Sequence, residues 1–211
     1  MKTPRFCACC ALMMAFVPIP DLCAEGDVLL EDDFERAELG KGWYVNSGEW
    51  IIRDGVLRAR EISAENHAAA ARRALAHTDG IYELRFRFVG GGRGFHLGFD
   101  PAPGELDKKG HLFSVKITRQ GWNLTKHLDK NRPQEDPNET LASASRKFEL
   151  DRWYTLRLVS RGNEVMATID GEDQLEASHP TFHVKKPTLV FRCVDDGVEI
   201  DDLVVSTVPK P

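Results

Sequence analysis

Residues 81–100 read IYELRFRFVGGGRGFHLGFD, and this stretch decides the fold class. Before the glycines, an apolar residue stands at every second position of 82–88, and polar residues fill the gaps. After the glycines, the same alternation runs over 95–99. A period of two places the apolar side chains on one face of an extended chain. The stretch therefore predicts two half-buried β-strands separated by a turn at Gly90-Gly91-Gly92.

The same alternation recurs towards the C-terminus. It covers residues 113–117, 154–158, 165–169, 189–193 and 198–205. Asp170-Gly171 follows one of these runs and is typical of a hairpin turn. Many short strands punctuated by turn residues, with little helical periodicity between them, favour two packed antiparallel sheets. The predicted fold class is therefore all-β, an antiparallel two-sheet β-sandwich.

Two segments fit the alternation less well. Residues 65–76 contain four consecutive alanines at 68–71, which favour a helix by intrinsic propensity. The flanking segments are strand-like, so we favour a strand there and keep a helix as the alternative. Residues 129–146 carry two prolines and many charges and predict an exposed loop.

The N-terminus has the organisation of an export signal. Lys2 and Arg5 precede an apolar run over residues 6–19, and a small residue, Ala24, offers a cleavage point. The run is shorter than the ~20 residues that cross a bilayer. We predict a signal peptide over 1–24 and a single domain over 25–211 that works in the periplasm or outside the cell. A buried N-terminal helix and a lipid anchor on Cys23 are the alternatives.

Cysteine usage and charge exclude several classes of protein. Four of the five cysteines lie within the predicted signal, so Cys193 alone remains and no internal disulfide can form. Cys193 lies on the apolar parity of its strand, which predicts an inert core thiol. The formal charge of −5 offers no basic footprint for nucleic acid or anionic lipid. No segment after the signal is long and apolar enough to span a membrane.

Several motifs carry a resemblance to a known family. They are EDDFER at 31–36, GW at 42–43, GEW at 48–50, DGVL at 54–57, DRWYTL at 151–156, TIDG at 168–171 and VEIDDLVV at 198–205. Together they resemble the concanavalin A-like, laminin-G-like jelly rolls of secreted bacterial proteins. The resemblance is greatest to the 3-keto-disaccharide hydrolase-like family, distantly related to family 16 glycoside hydrolases. It covers essentially all of 25–211. It implies that the first and last strands pair, with Phe34 near Leu203, and that 67–74 is a strand.

The chain departs from these families where they carry catalysis. The Glu-x-Asp-x-x-Glu pattern of family 16 is absent, and so are the Asn-Ser-Gly and Gly-Tyr-Glu signatures on the middle strands. No catalytic residue can therefore be carried over. A glycosidase carboxylate pair would have to come from loop and strand-end residues, which also fit solvated edges: Asp100, Glu105, Asp195, Asp196, Glu199, Asp201 and Asp202.

Strand parity predicts a ligand-binding face. If the apolar residues point into the core, several polar residues share the outer surface of neighbouring strands. Histidine and lysine there could hydrogen-bond sugar hydroxyls or transfer protons, and a tryptophan could stack on a sugar ring. The alternative is a solvated sheet face with ordinary cross-strand charge pairs. The candidate carbohydrate-binding residues are Arg87, His96, Asp100, Lys116, Trp122 and Arg192, with Arg85 and Ser114 on the same parity.

Metal binding has one candidate site. If the terminal strands pair, Asp33 and Asp201 could offer oxygen ligands to a structural calcium ion. Two acidic edges that repel each other and stay solvated are the alternative. The spacing of His67, His96 and His111 matches no compact zinc motif.

Three functions follow from these patterns. The first is a secreted carbohydrate-binding or interaction module without a recognisable catalytic motif. The second is a hydrolase or lyase acting on glycosides or 3-keto-glycosides. The third is a structural envelope protein.

Overall fold

The computed structural model describes residues 26–209, and the predicted signal peptide lies outside this part. Fifteen strands and one 3₁₀ turn form the described chain. The strands are β1 Val28–Asp32, β2 Trp43–Ser47, β3 Glu49–Arg53, β4 Val56–Arg60, β5 Ala69–His77, β6 Gly80–Phe88, β7 Gly94–Phe99, β8 Phe113–Thr118, β9 Gly121–Lys126, β10 Glu139–Ser145, β11 Tyr154–Arg161, β12 Glu164–Ile169, β13 Asp173–Ser178, β14 Lys186–Val194 and β15 Val198–Ser206. The 3₁₀ turn is Ser63–Glu65.

The strands form two antiparallel sheets. The eight-stranded sheet has the order β13-β12-β11-β6-β15-β4-β3, and β1 pairs with the free part of the β15 edge. The seven-stranded sheet has the order β10-β9-β8-β7-β14-β5-β2. The prediction of an all-β two-sheet sandwich is confirmed. Within residues 26–209, no helix has the length and apolar character that a membrane crossing requires.

The core lies between the two sheets and is filled by the alternating apolar residues. Phe86 of the eight-stranded sheet stacks on Phe95 of the seven-stranded sheet, with ring centroids 5.4 Å apart. Tyr82 and Phe99 meet across the same gap at 4.8 Å. Aromatic pairs at such distances stabilise a core beyond the area they bury. The side chains that the period-two pattern assigned to the inside therefore hold the sheets together.

The glycine run joins the two sheets. Strands β6 and β7 are consecutive in the chain, yet they belong to opposite sheets. A Cβ placed on Gly92 would lie 1.9 Å from the carbonyl oxygen of Gly197. A side chain at that position would collide with backbone, so the turn needs a glycine for its close approach.

The terminal strands pair as the resemblance implies. Asp32 of β1 lies opposite Leu203 of β15. Beyond the ladder, the backbone N–H of Asp27 donates to Thr207 Oγ1 at 2.9 Å, and Thr207 N–H donates back to the Asp27 carbonyl. Phe34 and Leu203 belong to the same buried cluster.

The two ambiguous segments resolve differently. The alanine run enters strand β5, so the strand interpretation is confirmed. Ala69 and Ala71 are fully buried there, and pairing with β14 and β2 outweighs their helical propensity. The prediction of a loop over 129–146 is wrong in its second half, because β10 pairs with β9. The prolines and charges of the segment led to the prediction of a loop over its whole length, including this edge strand.

Candidate functional site

One outer surface carries most of the predicted binding residues. On the seven-stranded sheet, Arg192 of β14 lies opposite His96 of β7, and His96 lies opposite Lys116 of β8. Residues directly opposite each other in antiparallel strands share a face. A parallel row on the same face contains Val190, Gly98 and Ser114. The sheet therefore aligns two cations and a histidine beside an apolar and small-residue row.

This surface contains an open groove of about 920 Å³. Residues 46–47 and 65–67 contribute to it from one side, and residues 110–111 and 127–138 contribute from the loops on the other. The groove is lined by Asn46, Ser47, Glu65, His67, Ala70, Arg72, Asp100, Gly110, His111, His127, Leu128, Lys130, Asn138, Val190 and Arg192.

The groove deepens at Gly98. A smaller depression there is lined by His96, Gly98, His111, Ser114, His127, Val190 and Arg192. Four of these residues also line the main groove, so the depression forms part of its floor. The missing side chain of Gly98 leaves room for the histidines to converge.

An Asp–His pair stands on the groove wall. Asp100 follows β7, and its Oδ1 lies 2.5 Å from His111 Nδ1. Arg72 Nε donates to the other carboxylate oxygen at 3.0 Å. Burial alone raises the pKa of Asp100, but the contacts with His111 and Arg72 outweigh it and leave the pKa lowered. The ionised carboxylate only accepts hydrogen bonds, so His111 Nδ1 donates and its Nε2 stays available to a ligand.

A second histidine contacts Ser114. His127 Nε2 lies 2.8 Å from Ser114 Oγ, and its ring meets that of His111 edge-on at 5.3 Å. Burial, reinforced by the charge of Lys116, lowers the pKa of His127 to about 3. Burial and then the charge of Arg192 lower the pKa of His96 to about 3 as well. Both side chains are neutral at physiological pH.

The two cations of the first row lack acidic partners. In the described part of the chain, neither Arg192 nor Lys116 forms a salt bridge, and Arg192 Nε is buried without a hydrogen-bond partner. Burial lowers the pKa of both side chains, and the charge of Arg192 adds to the effect on Lys116. An unpaired cation that loses water is costly. Arg192 lines the groove and Lys116 lies beside it, so both side chains are placed to gain from an acidic partner.

The loop wall of the groove is held by buried charge contacts. Lys108 Nζ donates to the His127 carbonyl at 2.6 Å and to Asp136 at 2.9 Å, and Lys126 also contacts Asp136. Asp129 is fully buried and accepts from the backbone N–H groups of residues 109 and 131. These contacts tie the segment after β7 to the segment after β9, which fixes the position of His127.

The structure brings together four of the six predicted binding residues. His96, Asp100, Lys116 and Arg192 lie on the seven-stranded sheet or directly after one of its strands. Their assignment to a ligand stays a prediction.

Two predicted binding residues lie elsewhere. Arg87 lies on the eight-stranded sheet, where it forms a salt bridge to Glu199 at 2.6 Å and stacks on Trp153. Trp122 is only 1% exposed and packs in the core opposite Ile117. Placing these two residues at a common binding surface was wrong, because the core separates Arg87 from the groove and Trp122 points inward.

The acidic residues assigned to calcium are engaged locally. Asp33 Oδ1 accepts from the backbone N–H of Glu35 at 3.1 Å, and Asp201 lies 3.7 Å from Arg85. Among residues 26–209, no three His, Cys, Asp or Glu side chains gather as a metal site. The described structure therefore gives the calcium interpretation no support.

Sequence reasoning missed three residues of this surface. Arg72 lies in the alanine-rich strand, whose parity was obscured by the helix-like composition. His127 stands at the end of a strand that the alternation did not identify. Tyr44 is 59% exposed and lies opposite Arg72, which places its ring on the groove face beside the groove. The sequence signal for Tyr44 was its position next to Trp43, since adjacent strand residues point to opposite faces and one of the two rings must face outward.

The comparisons with known proteins concern the fold. No protein-family model matches the chain, and a search of curated proteins finds no match. Solved structures do match. A carbohydrate-binding module of family CBM66 from Bacillus subtilis is 13% identical with a TM-score of 0.64, over 79% of this chain and 96% of that one. A galectin-like-fold protein of unknown function from Bacillus subtilis is 14% identical with a TM-score of 0.69, over 89% and 99%.

A catalytic protein has a similar structure. SCLam, a non-specific endo-β-1,3(4)-glucanase from family GH16, is 11% identical with a TM-score of 0.66, over 88% of this chain and 92% of that one. At these identities the likeness shows the fold alone, an antiparallel two-sheet jelly-roll sandwich. Binding modules and hydrolases both occur on it, so the site must decide the function.

Proposed function

We propose that this chain is an exported carbohydrate-binding protein that holds a short saccharide in the groove of the seven-stranded sheet. The groove volume lies near the top of the ~300–1,000 Å³ range of small-molecule sites. Its lining mixes amide, imidazole, guanidinium and hydroxyl groups that match sugar hydroxyls. Tyr44 supplies an exposed ring beside it, which is suited to the apolar face of a sugar.

One contrast between the two sheets carries this proposal. On the eight-stranded sheet, outward-facing arginines are paired with acidic residues, as in Arg87 with the buried Glu199 and Arg85 with Asp202. In the groove, Arg72 is paired with Asp100, but within the described chain Arg192 forms no salt bridge and its buried Nε has no hydrogen-bond partner. A solvated sheet face is expected to neutralise its own charges, whereas a binding face keeps donors for its ligand. The open groove also favours binding over the structural envelope role.

The test is a glycan array followed by isothermal titration with the best ligands. Tyr44→Ala is expected to weaken binding by about tenfold, since stacking on an aromatic is worth about 1 kcal/mol or more. Val45→Ala is the matched control, because Val45 is 47% exposed on the same strand and has the opposite parity. The proposal is wrong if no array ligand gives a binding heat. It is also contradicted if Tyr44→Ala and Val45→Ala lose the same amount of affinity.

The Asp100–His111 pair supports a second candidate, a hydrolase or lyase. Asp100 orients His111, and an oriented imidazole can move a proton to or from a glycosidic substrate. Among the seven acidic residues considered for a carboxylate pair, only Asp100 lines the groove. Incubation with neutral oligosaccharides and 3-keto-glycosides, followed by product analysis, tests this activity. Turnover that survives His111→Asn would exclude the role of the pair.

A further inference from the structure

We propose that the groove selects saccharides that carry a carboxylate, and that Arg192 and Lys116 bind this group on either side of His96. This inference rests on the proposed carbohydrate-binding function and names the class of sugar that the site takes. Uronic and sialic acids are the sugars with this chemistry.

The geometry provides two cations at a spacing suited to one anion. Arg192 and Lys116 are each the direct cross-strand neighbour of His96 on the same face. Directly opposite residues have Cβ atoms about 5 Å apart, so both long side chains can reach a group held over His96. Guanidinium offers paired donors that match a carboxylate, and ammonium adds a point charge.

The carboxylates near Arg192 and Lys116 are bonded to other groups or form no salt bridge with these two cations. Asp100 is held by Arg72 and His111. Glu65 accepts from the backbone N–H of Gly48 at 2.6 Å. Glu61 raises the pKa of Arg192 through space against the larger effect of burial, but it forms no salt bridge with that residue within the described chain. The protein therefore leaves the positive charge of Arg192 and Lys116 for a ligand.

The local charge opposes the charge of the whole chain. The formal net charge is −5, whereas the groove lining holds three basic residues and two acidic ones, and Lys116 lies beside it. His96 and His127 are uncharged and can hydrogen-bond hydroxyls next to the carboxylate. An acidic protein that keeps a basic groove attracts an anionic ligand at that place and repels it elsewhere.

The experiment compares each acidic glycan with its own neutral form. The full protein is titrated with oligogalacturonate, alginate and hyaluronan oligosaccharides, and with the same molecules after reduction of their carboxyl groups to alcohols. Dextran sulfate serves as the sulfate arm. At least one native uronate is expected to bind tenfold or more tightly than its reduced form, and the difference is expected to shrink as salt is raised.

Variants then locate the carboxylate. Arg192→Gln and Lys116→Gln are each expected to weaken native uronate binding by tenfold or more and to weaken binding of the reduced form by a clearly smaller factor. Arg53→Gln is the control for the loss of one charge, because its side chain is exposed on the eight-stranded sheet. Thermal unfolding checks that each variant is folded. If Arg192→Gln does not fold, the comparison is made with Lys116→Gln alone.

The outcomes separate this inference from the proposed function. Equal binding of native and reduced glycans, or binding of neutral glycans alone, overturns carboxylate selection and leaves carbohydrate binding intact. Binding of dextran sulfate without any carboxylated glycan also overturns it, because the proposed ligand group is a carboxylate. Absence of binding to every glycan overturns both.

Discussion

Gly98 and Ser114 face each other across β7 and β8, and a Cβ on Gly98 would lie 3.1 Å from the Cβ of Ser114. It would also lie 3.2 Å from the carbonyl oxygen of Phe113. The glycine therefore permits close contact between the two strands and leaves the depression in the groove floor.

Gly98→Ala is expected to fill that depression and to crowd Ser114. The added methyl group should lower the free energy of unfolding by about 1–2 kcal/mol and weaken glycan binding by at least fivefold. Urea unfolding and isothermal titration measure the two effects. Gly91→Ala is the control, because its Cβ would meet nothing closer than 3.7 Å. Unchanged glycan affinity in Gly98→Ala would place the ligand away from this floor.

Asp100→Asn is expected to destabilise the protein at neutral pH. The folded-state pKa of Asp100 is lowered, so its contribution is present above the unfolded value near 3.8 and is lost as the pH falls through the folded value. The variant should lose about 1–3 kcal/mol at pH 7, because charged hydrogen bonds to His111 and Arg72 disappear. The deficit should narrow as the pH falls below 3.8.

Urea unfolding across this pH range measures that deficit. Asp107→Asn is the matched control, since the Asp107 side chain is 98% exposed and lies 3.7 Å from Arg132. It should change the free energy of unfolding by less than about 0.5 kcal/mol. A constant deficit for Asp100→Asn at every pH would argue against a role for its charge.

His96→Gln is expected to make the protein less sensitive to mild acid. The pKa of His96 falls from 6.5 to about 3 on folding, so the unfolded chain takes up the proton first as the pH drops. The wild type should lose about 1 kcal/mol from this side chain for each pH unit below 6.5. Free energies of unfolding at pH 7.5 and 5.5 test this. His77 and His127 also have lowered pKa values, so both proteins should still lose some stability as the pH falls. Equal changes in the free energy of unfolding for wild type and variant would contradict the role of His96.

Cys193 is expected to resist alkylation in the folded protein. The thiol is fully buried, and burial raises its pKa to about 12, so almost no thiolate is present at pH 8. Iodoacetamide labelling, followed by mass spectrometry of the peptide that contains Cys193, should detect modification only in urea. Rapid labelling of the native protein would show that this part of the core opens.

The strands were predictable because one face of each is buried. Phe86 and Phe95 follow a period of two, and they meet in the core as that period requires. Parity cannot assign a strand to a sheet, however. Arg87 and His96 both point away from the core, but they do so on opposite outer surfaces, and strand order depends on pairing between residues far apart in sequence.

The binding surface was predictable only in part. Trp122 was assigned to a sugar by its residue type, whereas in β9 it shares the buried face with Leu124. His127 owes its position to contacts with Ser114 and Lys108, which lie in other segments. Such contacts leave no local pattern, so the converging histidines could be recognised only after folding.

The pairing of Asp27 with Thr207 has a consequence for how the groove is presented to a ligand. Both residues extend strands of the eight-stranded sheet, and the groove lies on the outer surface of the other sheet. A tether joined near either residue would attach through the eight-stranded sheet and not through the sheet that carries the groove. Many copies fixed to one support would then all keep their grooves free of the tether. Weak individual contacts with a repeating polymer could add into firm adhesion.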